Sequence, residues 1–260
     1  MYNDVAKNEI KYASGWIKEW PCSRHKGLGT KLEVDERFVI DSLSDSTIYM
    51  AYYTVAHKIE EIPKDKLCNN LWDYLFRNQD LNDELVEYEE LLTELKKEFK
   101  YWYPLNLRVS GKDLIKNHLI MCLYNHAFIW KNKDMLPKGF AVNGYTTLNK
   151  SQMSKSTGNF ITLIDAVEKY CADATRIALA LGTDTLDDAN FDEVNAYEAV
   201  VFLSNEKDLI EDLLKNYPTE SKDDDDENVW DVIFTNKVDN GVNDITDSIE
   251  NMMFRKAFVD

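Results

Sequence analysis

The sequence predicts an α/β fold, with a parallel Rossmann-type sheet and its covering helices first and a largely helical half after it. Three observations predict this. Short apolar runs suited to buried strands alternate with helix-period stripes up to residue 149. Beyond residue 160, capping residues and apolar spacing read as one helix after another. The 260 residues, 44% hydrophobic and 12% aromatic, supply a sizeable core.

Residues 1–36 read as irregular connection, with turn signals at Gly15, Pro21, Gly27 and Gly29. Phe38-Val39-Ile40 suits a buried strand. Ile48, Ala51, Tyr52, Val55 and Ile59 fall at helical spacing, and that helix ends near Pro63. Asn82 is placed to cap a helix whose Leu85, Tyr88, Leu92, Leu95 and Phe99 form one apolar stripe, the ordinary mark of core packing. Leu105 to Val109 reads as a strand and Asp113 to Trp130 as a helix. Two short strands, Phe140 to Val142 and Tyr145 to Leu148, flank the turn pair Asn143-Gly144. Ligands of parallel sheets sit beyond the carboxyl ends of the strands, where Asp41 to Ser46 and Ser110 to Asp113 fall.

Thr162 with Asp165 opens the next helix as a capping box. Asp173 caps another that stops at Gly182, and Asp192 caps a third running towards Asn216. Tyr217 to Asn228, with Pro218 and the run Asp223-Asp224-Asp225-Asp226-Glu227, reads as a linker. Val229 to Asp260 is helical again, with a break at Gly241.

Composition excludes several classes. No apolar run approaches the ~20 residues of a membrane helix, and Met1-Tyr2-Asn3-Asp4-Val5 has no secretory character. Cys22, Cys68, Cys122 and Cys171 are too widely spaced for a zinc knuckle or a redox dithiol, so reduced thiols are expected. His25, His57 and His126 form no metal pattern, and no structural metal is expected. The net charge of −17 opposes nucleic-acid binding by this segment, although much of the acid lies in Asp223–Glu227 and in the helix Asp83 to Glu98.

Chemistry concentrates in Gln152-Met153-Ser154-Lys155-Ser156 and the following Thr157-Gly158-Asn159. Lys155 offers a mobile positive charge, and Ser154, Ser156, Thr157 and the Gly158 backbone offer donors. That set suits a polyphosphate whose charge must be neutralised while one phosphorus is attacked. Gly111 after a strand lets backbone approach a ligand, and the Asp113 carboxylate two residues on suits ribose hydroxyls or, more plainly, a helix cap.

The loop resembles the Lys-Met-Ser-Lys-Ser signature of class I aminoacyl-tRNA synthetases, with Gln152 in place of the first lysine. Further blocks resemble the cytosolic (eukaryotic or archaeal) type of leucyl-tRNA synthetase, in the family's order. They are Trp20-Pro21-Cys22-Ser23-Arg24, Gly27-Leu28-Gly29-Thr30, Ser42 to His57, Trp102-Tyr103-Pro104-Leu105, Leu107 to Leu114, and Asp184-Thr185 with Asp188-Ala189-Asn190-Phe191. The family's His-Ile-Gly-His-type motif and its editing insertion are not found. The expectation is an internal piece of a longer enzyme.

The resemblance implies the second half of the catalytic domain over 1–149, the signature loop and stem-contact helices over 150–192, and the start of a helical anticodon-binding domain over 193–260. It implies ATP-dependent joining of leucine to tRNA(Leu) in the cytoplasm. Magnesium arrives with ATP, no cofactor is tightly bound, and tRNA is held mainly by regions outside this segment. A place in a multi-synthetase complex fits the family, whereas a membrane does not. Lys155, Ser154 and Ser156 carry catalysis, and Gly111, Asp113, Met153 and Lys155 hold ATP. Ser46, Thr47, Tyr49 and His118 hold leucine. Arg24 keeps a structural role, pairing acids or tRNA phosphate. The alternatives are a catalytically incomplete half that needs a partner chain, or an isoleucyl or valyl enzyme of the same class.

Overall fold

The N-terminal stretch expected to be irregular forms a helix, α1 (Asp4–Trp16). Ala6 and Ala13, both fully buried, lie two turns apart on one face, where a missing side chain allows close approach. Turn-forming Gly15 stands inside the last turn and does not end it. Glu9 pairs with Lys116 at 2.7 Å, and the Tyr124 hydroxyl donates to the Ser14 carbonyl at 3.4 Å.

The computed structural model describes residues 4–184, 186–216 and 228–259. The chain divides into two units on either side of Val142 and Asn143. The acidic run Asp223–Glu227 and the expected linker, apart from Asn228, lie outside the described residues.

In the first unit, β1 (Ser23–Arg24), β2 (Lys31–Leu32) and β3 (Asp35–Ile40) form an antiparallel sheet in the order β1-β3-β2. Arg24 stands 4.0 Å from Asp41 and donates to the Leu28 carbonyl at 2.8 Å. After a short helix α2 (Ser42–Asp45), the helix expected through Ile48–Ile59 is broken into α3 (Tyr49–Tyr53) and α4 (Ala56–Ile59). The breaks fall at β-branched residues, which are stiff at χ1 and poor helix formers. Ile48 (φ −129°) and Val55 (φ −120°) both leave helical geometry. Of the expected stripe only Ala51, Val55 and Ile59 are buried.

Next come α5 (Asn69–Arg77) and α6 (Glu89–Trp102). The α6 stripe is as read: Leu85, on the tight turn before α6, and Leu92, Leu95 and Phe99 pack with Leu71 and Leu75. Each such leucine contributes about 1.5–3 kcal/mol. Asn82 does not cap with its side chain. Its N–H instead donates to Asn70 Oδ1 at 3.0 Å. β4 (Arg108–Gly111) pairs with β5 (Phe140–Asn143) in a second sheet. Between them the helix expected from Asp113 is three pieces: a 3-10 turn (Lys112–Leu114), a π turn (Ile115–Leu119) and α7 (Ile120–Trp130). On α7 the fully buried His126 donates from Nδ1 to the Cys122 carbonyl at 2.8 Å and accepts from the Tyr103 hydroxyl at Nε2. Burial pushes the Cys122 thiol up to about 12 and raises the Tyr103 phenol.

In the second unit, β6 (Thr146–Leu148) pairs antiparallel with β7 (Ser151–Gln152) and parallel with β8 (Ala189–Phe191). Asn143-Gly144 is therefore no hairpin turn between partners. Gly144 serves close approach: a Cβ there would stand 2.2 Å from the Asp187 carbonyl oxygen. Helices α8 (Leu163–Tyr170), α9 (Ala172–Ala180), α10 (Glu193–Asn216), α11 (Val229–Glu250) and α12 (Phe254–Val259) complete the unit. The Thr162–Asp165 capping box is present. Asp192 accepts from the Val194 N–H at 3.0 Å. Asp173 lies in the first turn of α9 and not at its cap, which is Cys171 at φ 64°. Helix α11 passes through Gly241 unbroken, because a single helical glycine costs only ~1 kcal/mol against the many bonds around it. Leu148, Tyr170, Ala174, Ala178, Phe191, Ala196 and Ala199 form the core.

Candidate functional site

The residues expected to form the site fall on both units. Ser46, Thr47, Tyr49, Gly111, Asp113 and His118 belong to the first, and Met153, Ser154, Lys155 and Ser156 to the second.

On the second unit, β6 and β7 form a hairpin whose turn residues Asn149 and Lys150 both have positive φ (50° and 65°). Past β7 the chain folds on itself: the Ser154 N–H donates to the Asn159 carbonyl at 2.9 Å. Lys155–Thr157 form a tight turn closed by Gly158, whose φ of 74° favours glycine. The Ser154 and Ser156 hydroxyls lie 2.8 Å apart, and the Thr157 hydroxyl donates to the Ser154 carbonyl at 3.2 Å. Met153 packs against the unit's core and seats the loop on it. Lys155 and Ser156 face solvent. The Lys155 ammonium thus projects from a closed turn, with hydroxyl donors on either side of it.

Sequence reasoning missed the residue that clasps this loop. The Asn159 amide lies 3.4, 3.4 and 3.2 Å from the carbonyls of Leu148, Ser151 and Gln152. The signal was an asparagine directly after a left-handed glycine, a position where side-chain amides bond neighbouring backbone.

On the first unit, the Thr47 hydroxyl is fully buried, donating to the Ser44 carbonyl at 2.9 Å and accepting from Asn125 at 2.7 Å. Tyr49 accepts at its hydroxyl from Arg108 at 2.8 Å. His118, 2% exposed, occupies the π turn, and its ring makes no well-formed hydrogen bond, only a weak contact with the Ser46 backbone. Burial holds its pKa below the usual imidazole value. The Arg108 charge adds to that, and the nearby Ser46 backbone opposes it. Arg108 Nε and Ser110 Oγ are buried without a partner. Such orphaned polar atoms are rare in native cores and call for an explanation, and π turns recur at functional sites. Ser110 reads in the sequence only as part of the strand end Ser110 to Asp113, and Arg108 has no role of its own there, although a charged residue inside a short strand is a usable signal.

Asp113 is exposed and folds back over Gly111, where a Cβ would stand 2.6 Å from its Oδ1. It caps no helix, since neither the 3-10 nor the π turn has a side-chain cap. An apolar cleft of about 530 Å3 opens beside Tyr49, walled by Ile48, Trp72, Phe76 and Trp130.

A family model described as tRNA synthetases class I (M) matches residues 82–216. The cytoplasmic leucine–tRNA ligase of Dictyostelium discoideum is 40% identical over 268 residues, covering 99% of this chain and 25% of that protein. The probable cytoplasmic leucine–tRNA ligase of Vairimorpha ceranae (strain BRL01) is 51% identical over 189 residues, covering 70% of this chain and 21% of that protein. Among solved structures, LeuRS of Agrobacterium radiobacter K84, in a ternary complex with tRNA and LeuAMS, aligns with a TM-score of 0.60. The alignment covers 96% of this chain and 28% of that one at 16% identity, a likeness of fold. The chain spans about a quarter of the length of the curated relatives it matches.

Proposed function

This chain belongs to the class I tRNA synthetases, and from that premise we propose that it is part of a cytoplasmic leucine–tRNA ligase. The observation that carries the reading is the 40% identity to a leucine–tRNA ligase across 99% of the chain. The reaction joins the leucine carboxylate to the α-phosphorus of ATP, expels pyrophosphate, and passes the leucyl group to tRNA(Leu). Magnesium arrives with the nucleotide.

Residues 1–149 supply the second half of a Rossmann-type catalytic domain, 150–192 the signature loop and stem-contact helices, and 193–260 the start of an anticodon-binding domain. Lys155 neutralises the departing pyrophosphate, and Ser154 and Ser156 donate to it. Stabilisation of charge that develops in the transition state raises rate and not merely affinity. Its placement on a seated, clasped turn supports this role. Gly111 and Asp113 receive the adenosine ribose. Tyr49, Ser46 and His118 wall the leucine site, with Thr47 as its anchor. Arg108, over the Tyr49 ring at 5.8 Å, offers its unpartnered Nε to a carboxylate or phosphate oxygen.

The test is leucine-dependent ATP–pyrophosphate exchange in the full-length ligase that contains this chain, with isoleucine, valine and no amino acid as controls. Leucine should dominate, and Lys155→Ala should lower the rate ~100-fold or more, the usual scale for losing one oxyanion donor. A Lys155→Ala rate within twofold of the parent refutes the role of the loop.

A further inference from the structure

The loop is fixed from outside as well as from within. Glu193, the first residue of α10, lies beside the turn of the β6–β7 hairpin. Its Oε2 accepts from the Asn149 side chain at 2.9 Å, and its backbone N–H donates to Asn149 Oδ1 at 3.2 Å. Its Oε1 accepts from Lys169 and from the Tyr170 hydroxyl, both at 2.7 Å. One carboxylate thus joins the hairpin turn, the end of α8 and the start of α10.

The turn needs such a hold. Asn149 and Lys150 both have positive φ, the pattern of a two-residue I′ turn, which prefers glycine at its second position. Lys150 has a Cβ there, and a non-glycine residue in the left-handed region is strained. External bonds oppose that strain: Lys150 N–H donates to Asn190 Oδ1 at 2.5 Å, Asn149 N–H to the Phe191 carbonyl at 3.0 Å, and Asn149 is bound twice to Glu193.

We propose that Glu193 is a positioning residue for the signature loop: through Asn149 it fixes the hairpin turn, and with it the height and direction at which Lys155 meets a polyphosphate. Lys155 lies five residues beyond the turn, so a change in hairpin tilt is carried directly to its ammonium. Lys169, then Tyr170 and Asn149, hold the Glu193 carboxyl down at about 2, so the latch stays ionised at any neutral pH. Glu193 touches no substrate in this scheme and acts only through Asn149. The proposal rests on the reading of Lys155 given above.

The experiment is a double-substitution cycle in the full-length ligase, paired with amide hydrogen exchange. Glu193→Ala should lower the exchange kcat roughly 10- to 100-fold, the scale of an ångström-sized misplacement. The KM for leucine should stay within twofold. Asn149→Ala should reproduce this, and Glu193→Gln, which keeps an acceptor and gains a donor, should recover most of it. In the Glu193→Ala background, Lys155→Ala should cost far less than in the parent, because coupled residues are non-additive. Amides 151–158 should exchange at least about 10-fold faster without the carboxylate. A Lys155→Ala penalty equal in both backgrounds overturns the proposal, and so does unchanged amide protection. A parent that tolerates Lys155→Ala refutes the functional reading instead, and the amide result then decides by itself whether Glu193 holds the loop.

Discussion

His118 carries two ring nitrogens into the core, and neither makes a well-formed hydrogen bond there. A buried polar group without a partner costs about 1–3 kcal/mol. The resemblance implies leucine recognition for His118 and ribose for Asp113, and we propose that a polar ligand group reaching the His118 ring would recover that cost on binding. The two assignments separate kinetically. Asp113→Ala should raise the KM for ATP and leave leucine preference intact, whereas His118→Ala should weaken leucine use and blur selection against isoleucine and valine. Steady-state constants for both substrates decide, and a His118→Ala variant altered only in ATP kinetics would sink the assignment. The same ring predicts a pH effect. Burial holds the pKa values of His118 and His126 below the ordinary 6.5, so the folded state favours neutral rings. The unfolded chain then takes up protons first. Their contribution is complete above about pH 6.5 and drains as pH falls towards the lower folded values. Urea midpoints should drop between pH 7.5 and 5.5, and drop less in His118→Gln. Equal drops in parent and variant would exclude His118 as a source.

Among the elements, β6 depends on Gly144 for contact with 186–187. A methyl there would collide with the Asp187 carbonyl oxygen at 2.2 Å and the Leu186 carbonyl oxygen at 2.7 Å, and both are backbone atoms that cannot swing away. Gly144→Ala should therefore lower the stability of the second unit by about 1–3 kcal/mol, the range for forced overpacking. A thermal midpoint within a degree of the parent would disprove the contact. Sequence alone revealed elements whose signal is local. The α6 stripe repeats at helical period, the capping box spans four residues, and the signature loop is contiguous. It did not reveal those set by distant partners. Helix α1 buries alanines, which carry little hydropathy contrast. The short strands pair across long separations, so Asn143-Gly144 looked like a hairpin turn. Residues 48–59 show helical spacing but break where β-branched side chains crowd the backbone. Within the site, contiguous Met153–Ser156 could be read directly. Arg108 and Asn159 left only local hints, and the contacts of Glu193 with Asn149 and Lys169 cross separations that no spacing encodes.

For the molecule as a whole, coverage and surface point the same way. Relatives are about four times as long, and the two long helices of the second unit expose large apolar side chains, among them Phe202, Leu213, Trp230 and Phe234. Purified by itself, the 260-residue chain should give no leucine-dependent exchange, because cooperating groups lose far more than their share when separated. It should also self-associate as salt screens its net charge of −17. Exchange assays and light scattering across an ionic-strength series check both, and robust leucine-dependent exchange from the chain alone would overturn the expectation. The graded burial of the thiols has a practical use here. Cys22 and Cys171 are exposed, Cys68 is intermediate, and Cys122 is sealed, its burial both blocking access and pushing the thiol up to about 12. A timed pulse of alkylating reagent should mark the outer pair at once and Cys122 only in molecules whose α7 core has opened. The mass shift at that single site is then a built-in clock for unfolding of the first unit, readable in crude lysate with no introduced label.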